Sequence, residues 1–113
     1  MYESDQVLAA LAAYFQMLSE PSRLKVLRCI CVEEKPVSDI VSETGLSQTN
    51  VSRHLNMLYD AGMVSRRKEG SSVFYKVVDT SLIEICRTVA VRIASRIDDA
   101  TPLRDAFLDY YQI

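Results

Sequence analysis

Gly45-Leu46-Ser47-Gln48-Thr49-Asn50-Val51-Ser52-Arg53-His54-Leu55-Asn56-Met57-Leu58 decides how this chain of 113 residues is read. Gly45 supplies a turn and Ser47 can cap a new helix. Val51, Leu55 and Leu58 then recur at the i, i+4, i+7 spacing of a helix face turned toward a core. The small polar residues fall opposite. Gln48, Thr49, Ser52, Arg53 and Asn56 form an outer side whose amide, hydroxyl and guanidinium groups can hydrogen-bond to base edges and phosphates in a major groove. The pattern is that of the turn and second helix of a helix-turn-helix. Any amphipathic surface helix also carries a polar outer face, so the flanking sequence has to discriminate.

Upstream, Val7, Leu8, Leu11, Ala12, Phe15 and Leu18 follow helical spacing and predict a first helix from Gln6 to Leu18. Glu20-Pro21-Ser22 breaks it. Pro21 suits the first turn of a second helix, with Leu24, Leu27, Ile30 and Cys31 as its apolar face, running to about Val32. Glu33-Glu34-Lys35-Pro36 reads as a polar break, and Val37-Ser38-Asp39-Ile40-Val41 opens a short third helix that ends before Gly45. The reader helix stops at Ala61-Gly62. Beyond it the period changes to two. Val64-Ser65-Arg66-Arg67-Lys68 and Val73-Phe74-Tyr75-Lys76-Val77 are β-branched, aromatic and basic, and Glu69-Gly70-Ser71-Ser72 between them is turn chemistry. Asp79-Thr80 can cap a long helix striped by Leu82, Cys86, Val89, Ile93 and Ile97. Thr101-Pro102 starts a last short one carrying Leu103, Phe107 and Tyr110.

The order is four helices, a two-stranded hairpin, a long helix and a short terminal helix. That is a mainly α (α+β) winged helix-turn-helix, in which the helix enters the major groove and the hairpin reaches flanking phosphates or the adjacent minor groove. The expected DNA contacts are Ser47, Gln48, Thr49, Asn50, Ser52, Arg53, His54 and Asn56 on the helix, and Arg66, Arg67, Lys68, Ser71 and Ser72 on the wing. Arg53 is the best candidate for base readout, since its fork can engage guanine bidentately, while Gln48 suits adenine. His54 lies beside Leu55 at the edge of the apolar stripe. It suits a phosphate or a structural hydrogen bond, and has no partner for catalysis.

Size and charge agree with this. The length suits one domain, with residues 37–61 as the helix-turn-helix, 63–78 as the wing, and 1–20 and 79–113 as dimerisation helices. Net charge is −2. Residues 47–76 nevertheless carry five basic against two acidic side chains, the only net positive stretch. A local patch governs contact with a phosphate backbone, because salt screens charges beyond about 8 to 10 Å. The acidic N-terminus lacks a secretory pattern and no long apolar run occurs, so a cytoplasmic chain without membrane contact is expected. Two long apolar-striped helices flank a core of only about 60 residues, which predicts a partner surface and hence a homodimer.

Three separated segments in the right order carry a family resemblance. Leu18-Ser19-Glu20-Pro21-Ser22-Arg23-Leu24-Lys25-Val26-Leu27 resembles the entry to the second helix of the ArsR/SmtB family of bacterial winged-helix repressors. Leu46 to Leu58 resembles that family's recognition helix, and Ala61-Gly62-Met63-Val64-Ser65-Arg66-Arg67-Lys68-Glu69-Gly70 its entry into the wing. The likeness spans residues 7 to about 97. It implies an obligate homodimer built from the first and the long fifth helices, binding a pseudo-palindromic double-stranded operator and repressing transcription until an inducer arrives.

Departures from the family pattern bear on the inducer. Where many arsenic-responsive members carry Cys-x-Cys, this chain has Pro36-Val37-Ser38. Where zinc-responsive members carry an Asp-x-His pair and a later His and acidic residue, the matching positions are Asp79, Ser81, Arg92 and Ser95. Only the Asp remains, and His54 is the chain's one histidine, so an imidazole-rich zinc site within one chain is rejected. Cys29, Cys31 and Cys86 are left as candidate effector or redox residues, acting on a soft metal or metalloid, or on reactive sulfur or an oxidant. Cys29 and Cys31 point about 200° apart on a regular helix and cannot grip one ion. Cys31 and Cys86 look like small buried hydrophobes, while Cys29 faces outward near Lys25, where a cation could favour thiolate.

Two other function classes compete. A winged-helix module for protein assembly would place the polar face against a protein, and would lack the steep salt dependence of duplex binding. An enzyme is disfavoured by the lack of a Gly-rich phosphate loop, a metal constellation or a nucleophile with a base in a recognisable motif.

Overall fold

The computed structural model describes residues 3–110, and the chain runs α1 (Ser4–Gln16), α2 (Pro21–Ile30), β1 (Lys35–Pro36), α3 (Val37–Thr44), α4 (Gln48–Asp60), β2 (Val64–Glu69), β3 (Ser72–Val77), α5 (Thr80–Ala94) and α6 (Pro102–Tyr110). It divides into two units, one ending at Val78 and one beginning at Asp79.

The first unit is built around α4. Val51, Leu55 and Leu58 have no solvent exposure, and share the core with Val26, Leu27 and Ile30 of α2, Ile40 of α3, and Met63, Val64 and Tyr75. Each such side chain contributes roughly 1.5 to 3 kcal/mol on burial, so the orientation of α4 is set by the core and not by what its outer face meets. The turn into α4 is equally determined. Gly45 closes α3 at φ 72°, a left-handed conformation that strains any residue with a Cβ. The Thr44 hydroxyl donates to the Ile40 carbonyl at 2.6 Å and accepts the Leu46 N–H at 3.3 Å. The Ser47 hydroxyl then accepts the Asn50 N–H, as a helix cap does.

The wing is a sheet of three strands in the order β1-β3-β2, not the two expected. β2 and β3 pair antiparallel from Val64↔Val77 to Glu69↔Ser72, leaving Gly70-Ser71 as the loop. β1, read above as a plain break, pairs Lys35↔Tyr75 and Pro36↔Phe74. Two residues show no periodicity, and the pairing exists only because β3 offers its second edge. Pro36 is tolerated there because an edge strand needs no N–H on its outer side.

Helical faces shift in detail. On α2 the buried residues are Arg23, Val26, Leu27 and Ile30, whereas Leu24 is half-buried and Cys31 caps the helix end. α1 buries none of its residues, and Val7, Leu8, Leu11 and Phe15 are each at least half exposed. In the second unit Asp79 caps α5 by accepting the Ser81 N–H at 3.1 Å. The buried line on α5 is Leu82, Ala90 and Ala94, while Val89 and Ile93 of the expected stripe are exposed. Small alanines suit close approach of a neighbour, which hydropathy alone does not register. α6 packs along α5. No helix among the described residues is long and apolar enough to cross a membrane.

Candidate nucleic-acid interface

Gln48, Ser52 and Asn56 follow one another at i, i+4, i+8 on α4 and line a polar groove of about 390 Å³. Its opposite wall is Ser71, Ser72, Val73 and Tyr75 of the wing, and its end is formed by Pro36, Val37 and Ser38 where α3 begins. Five of the residues singled out from sequence are thus brought together by the fold. Their amides and hydroxyls both donate and accept, so the groove can match either polarity of a base edge or a phosphate oxygen. Ser47, Thr49, Asn50 and Arg53 are exposed on the same helix. Ser38 was missed. Its position in the first turn of the helix before the reader was the available signal.

The three basic wing residues do not act as one cluster. Side chains alternate along a strand, which puts Arg66 and Lys68 on the Tyr75 side and Arg67 on the opposite face with Phe74. The Arg66 guanidinium carbon lies 3.9 Å over the Tyr59 ring at the end of α4, and hydrogen bonding to the Tyr75 phenol raises its pKa. Arg67 sits 4.6 Å over Phe74. Its Nε donates to Glu34 Oε1 at 2.9 Å, its Nη2 also pairs with Glu34, and its Nη1 meets Glu69 at 2.7 Å. The Glu34 carboxyl is held below its ordinary range by this hydrogen bond. Arg67 therefore fastens the wing to the segment before β1 instead of presenting an open fork. Lys68 is exposed and has no ion-pair partner among the described residues.

His54 also departs from expectation as a DNA contact. Its side chain has no exposed surface, and Nε2 lies 2.9 Å from Ser22 Oγ at the start of α2. A ring without exposed surface cannot touch a duplex. The structural hydrogen bond is the outcome, as its i+3 position from Val51 on the inner face dictates. Burial pushes the imidazole pKa down, opposed by Glu20 and reinforced by Arg53 and Arg23.

Cys29 and Cys31 of the first unit make separate contacts. Cys29 donates its thiol to Glu43 at 3.3 Å, with Lys35 at 4.0 Å, and burial followed by that hydrogen bond pushes its pKa up to about 11. The expectation of a thiolate there is corrected: the carboxylate outweighs the cation. Cys31 donates to the Arg28 carbonyl one turn back. Among the described residues no group of three or more His, Cys, Asp or Glu could hold a metal ion. In a Cys31→Ser, Cys86→Ser protein, alkylation of Cys29 by iodoacetamide should run at least tenfold slower at neutral pH than for a free cysteine. Its rate should climb until about pH 11. A rate that levels off near neutrality would contradict the Glu43 assignment.

Comparison with known proteins accords with this geometry. A model of bacterial regulatory proteins of the arsR family matches residues 20–66. The "probable mercury resistance operon repressor" of Streptomyces lividans is 37% identical over 93 residues, covering 80% of this chain and 74% of that protein. The HTH-type transcriptional regulator NmtR of Mycobacterium tuberculosis is 32% identical over 80 residues, covering 71% of this chain and 67% of its own. Among solved structures, NolR from Sinorhizobium fredii superposes with a TM-score of 0.70 at 25% identity, covering 80% of this chain and 92% of that one. Apo-NmtR in solution gives 0.69 at 27%, covering 89% and 84%. With a reader helix, a basic wing and these relatives, the chain belongs to the ArsR family of bacterial regulatory proteins and is a winged-helix, DNA-binding transcriptional regulator, not an enzyme.

Proposed function

We propose that the chain works in the cytoplasm as a homodimeric repressor that binds a pseudo-palindromic operator and releases it on meeting an inducer. The observation that carries the DNA contacts is the groove shared by Gln48, Ser52 and Asn56 with Ser71 and Ser72. α4 lies in the major groove with Arg53 and Gln48 toward base edges. Ser47, Thr49, Asn50, Lys68 and the two wing serines meet phosphates or flanking bases, and Arg66 and Arg67 brace the wing. Residues 1–113 act as one winged-helix domain, with 1–20 and 79–113 supplying the dimer contacts. Support for a partner surface comes from α1, which buries nothing and exposes Val7, Leu8, Leu11 and Phe15, and from Val89, Val91 and Ile93 on α5.

Two measurements test this. Sedimentation should give a dimer that Leu11→Glu on α1 dissociates. A random pool of duplexes should yield an enriched sequence whose affinity falls with salt at about 0.9 per neutralised phosphate in the log-log slope. Arg53→Ala should weaken binding to that duplex by about 1 to 3 kcal/mol and relax preference at one base position of each half-site. Equal weakening on every sequence would make Arg53 a phosphate contact. A folded dimer that enriches no duplex at low salt would transfer the polar face to a protein partner.

A further inference from the structure

Arg53 does not stand alone on the reader face. Glu20, the residue before α2, is held from two sides: Oε2 accepts Arg23 Nη1 at 2.9 Å, and Oε1 accepts the Ser22 hydroxyl at 3.1 Å. The same Oε1 lies 3.7 Å from Arg53 Nη2. Ser22 Oγ is in turn 2.9 Å from His54 Nε2. Because Ser22 gives its single proton to Glu20, the imidazole donates from Nε2. Nδ1 is left as a bare acceptor, and it has no hydrogen-bond partner among the described residues. A directed chain of hydrogen bonds therefore runs from the buried His54 through Ser22 to the carboxylate, while buried Arg23 clamps the other oxygen.

We propose that Glu20 is a positioning residue for base readout: it buttresses Arg53 so that the guanidinium meets a base edge and is discouraged from phosphates. This rests on the DNA-reading role proposed above. The Arg53 side chain is 52% exposed, and an exposed pair at this distance is a weak tether, so the carboxylate orients the fork without withholding it. Arginine carries large rotamer freedom. Narrowing that freedom before contact lowers the ordering cost of a bidentate base interaction. The same negative charge repels a phosphate approaching Arg53, which acts against non-specific binding. Specificity rises from both directions. Lys68 on the wing, with no such partner, is left as a sequence-blind phosphate contact.

The test uses the full chain, a duplex enriched by wild-type protein from a random pool, and a scrambled duplex of equal length. Glu20→Gln should lower the ratio of specific to scrambled affinity by about three- to tenfold. It should also steepen the salt slope on the scrambled duplex by about 0.9, as Arg53 becomes available to one further phosphate. In an Arg53→Ala background the same substitution should leave the ratio unchanged within about twofold. Ser22→Ala keeps both charges but unpins the carboxylate, and should lose part of the ratio. Equal loss on both duplexes, together with lowered thermal stability, would make Glu20 a fold-holding residue only and overturn the buttress. An unchanged ratio in Glu20→Gln would overturn it too while leaving DNA reading intact. Failure of the wild type to enrich any duplex would overturn both.

Discussion

Arg23→Ala should reduce unfolding free energy by about 3 kcal/mol, measured by urea titration at one fixed protein concentration. Arg23 is 4% exposed, yet it is a charged residue on the inner face of α2. It is kept there by geometry. Nε donates to the Met17 carbonyl at 2.7 Å, Nη2 to the Gln16 carbonyl at 2.9 Å, and Nη1 to Glu20. Gln16 and Met17 close α1, whose last carbonyls have no partner within the helix. One guanidinium therefore caps α1 and ties it to α2. Charge-assisted hydrogen bonds of this kind contribute about 1.5 to 3 kcal/mol each. Losing the donor takes a partner from the half-buried Met17 carbonyl, while the Gln16 carbonyl keeps the Ser19 N–H at 3.1 Å and the Ser19 hydroxyl at 2.7 Å. Glu20 is open enough to rehydrate, which keeps the total below the sum. Arg23→Lys should recover less than half of the loss, because an ammonium cannot serve three acceptors spread along a planar fork. A cost below about 1 kcal/mol would mean that water replaces Arg23 at those carbonyls.

The recognition helix was legible because its signals are local. The i, i+4, i+7 spacing of Val51, Leu55 and Leu58 corresponds to three side chains with no exposure, and Ser47 caps where a Ser after a Gly-terminated helix is expected to. The hairpin was legible for the same reason. What escaped depends on partners distant in sequence. β1 is created by the free edge of β3, and Arg23 looks like a surface residue until the end of α1 is seen to need a donor. On α5 the small residues Ala90 and Ala94 displaced the larger apolar ones from the buried line. The division of Arg66 and Lys68 from Arg67 was within reach, since strand alternation alone puts neighbours on opposite faces. Glu34 as the partner of Arg67 was not, because nothing local joins residues 34 and 67.

His54 is where core and reader face meet, and two outcomes follow from its burial. His54→Ala should cost about 3 kcal/mol of stability, through a cavity beside Leu55 and Leu58 and through the loss of the donor to Ser22. Acid should also destabilise the wild type through this residue. The folded imidazole is held below its ordinary value of 6.5, chiefly by burial, with Arg53 and Arg23 adding to that direction and Glu20 opposing it. Between the folded and ordinary values the unfolded chain binds more protons. Stability must therefore rise with pH through that window, and fall as pH drops below about 6.5. Glu20, Glu34 and Glu43 are held low by their own hydrogen bonds and lose stabilisation in the same direction, but only below their ordinary 4.5. The two regimes are separable. His54→Asn keeps an amide donor for Ser22 but cannot titrate, so it should flatten the dependence between pH 7 and 5 while retaining the steeper loss below 4.5. A wild type whose stability is level from pH 7 to 5, by urea titration at constant salt, would mean that protonated His54 is accommodated in place. A salt bridge to Glu20, 3.7 Å away, would then be the stabilising interaction. Otherwise the added proton falls on Nδ1, which is buried and has no hydrogen-bond partner among the described residues, so charging the ring costs stability while the Nε2–H bond to Ser22 stays in place.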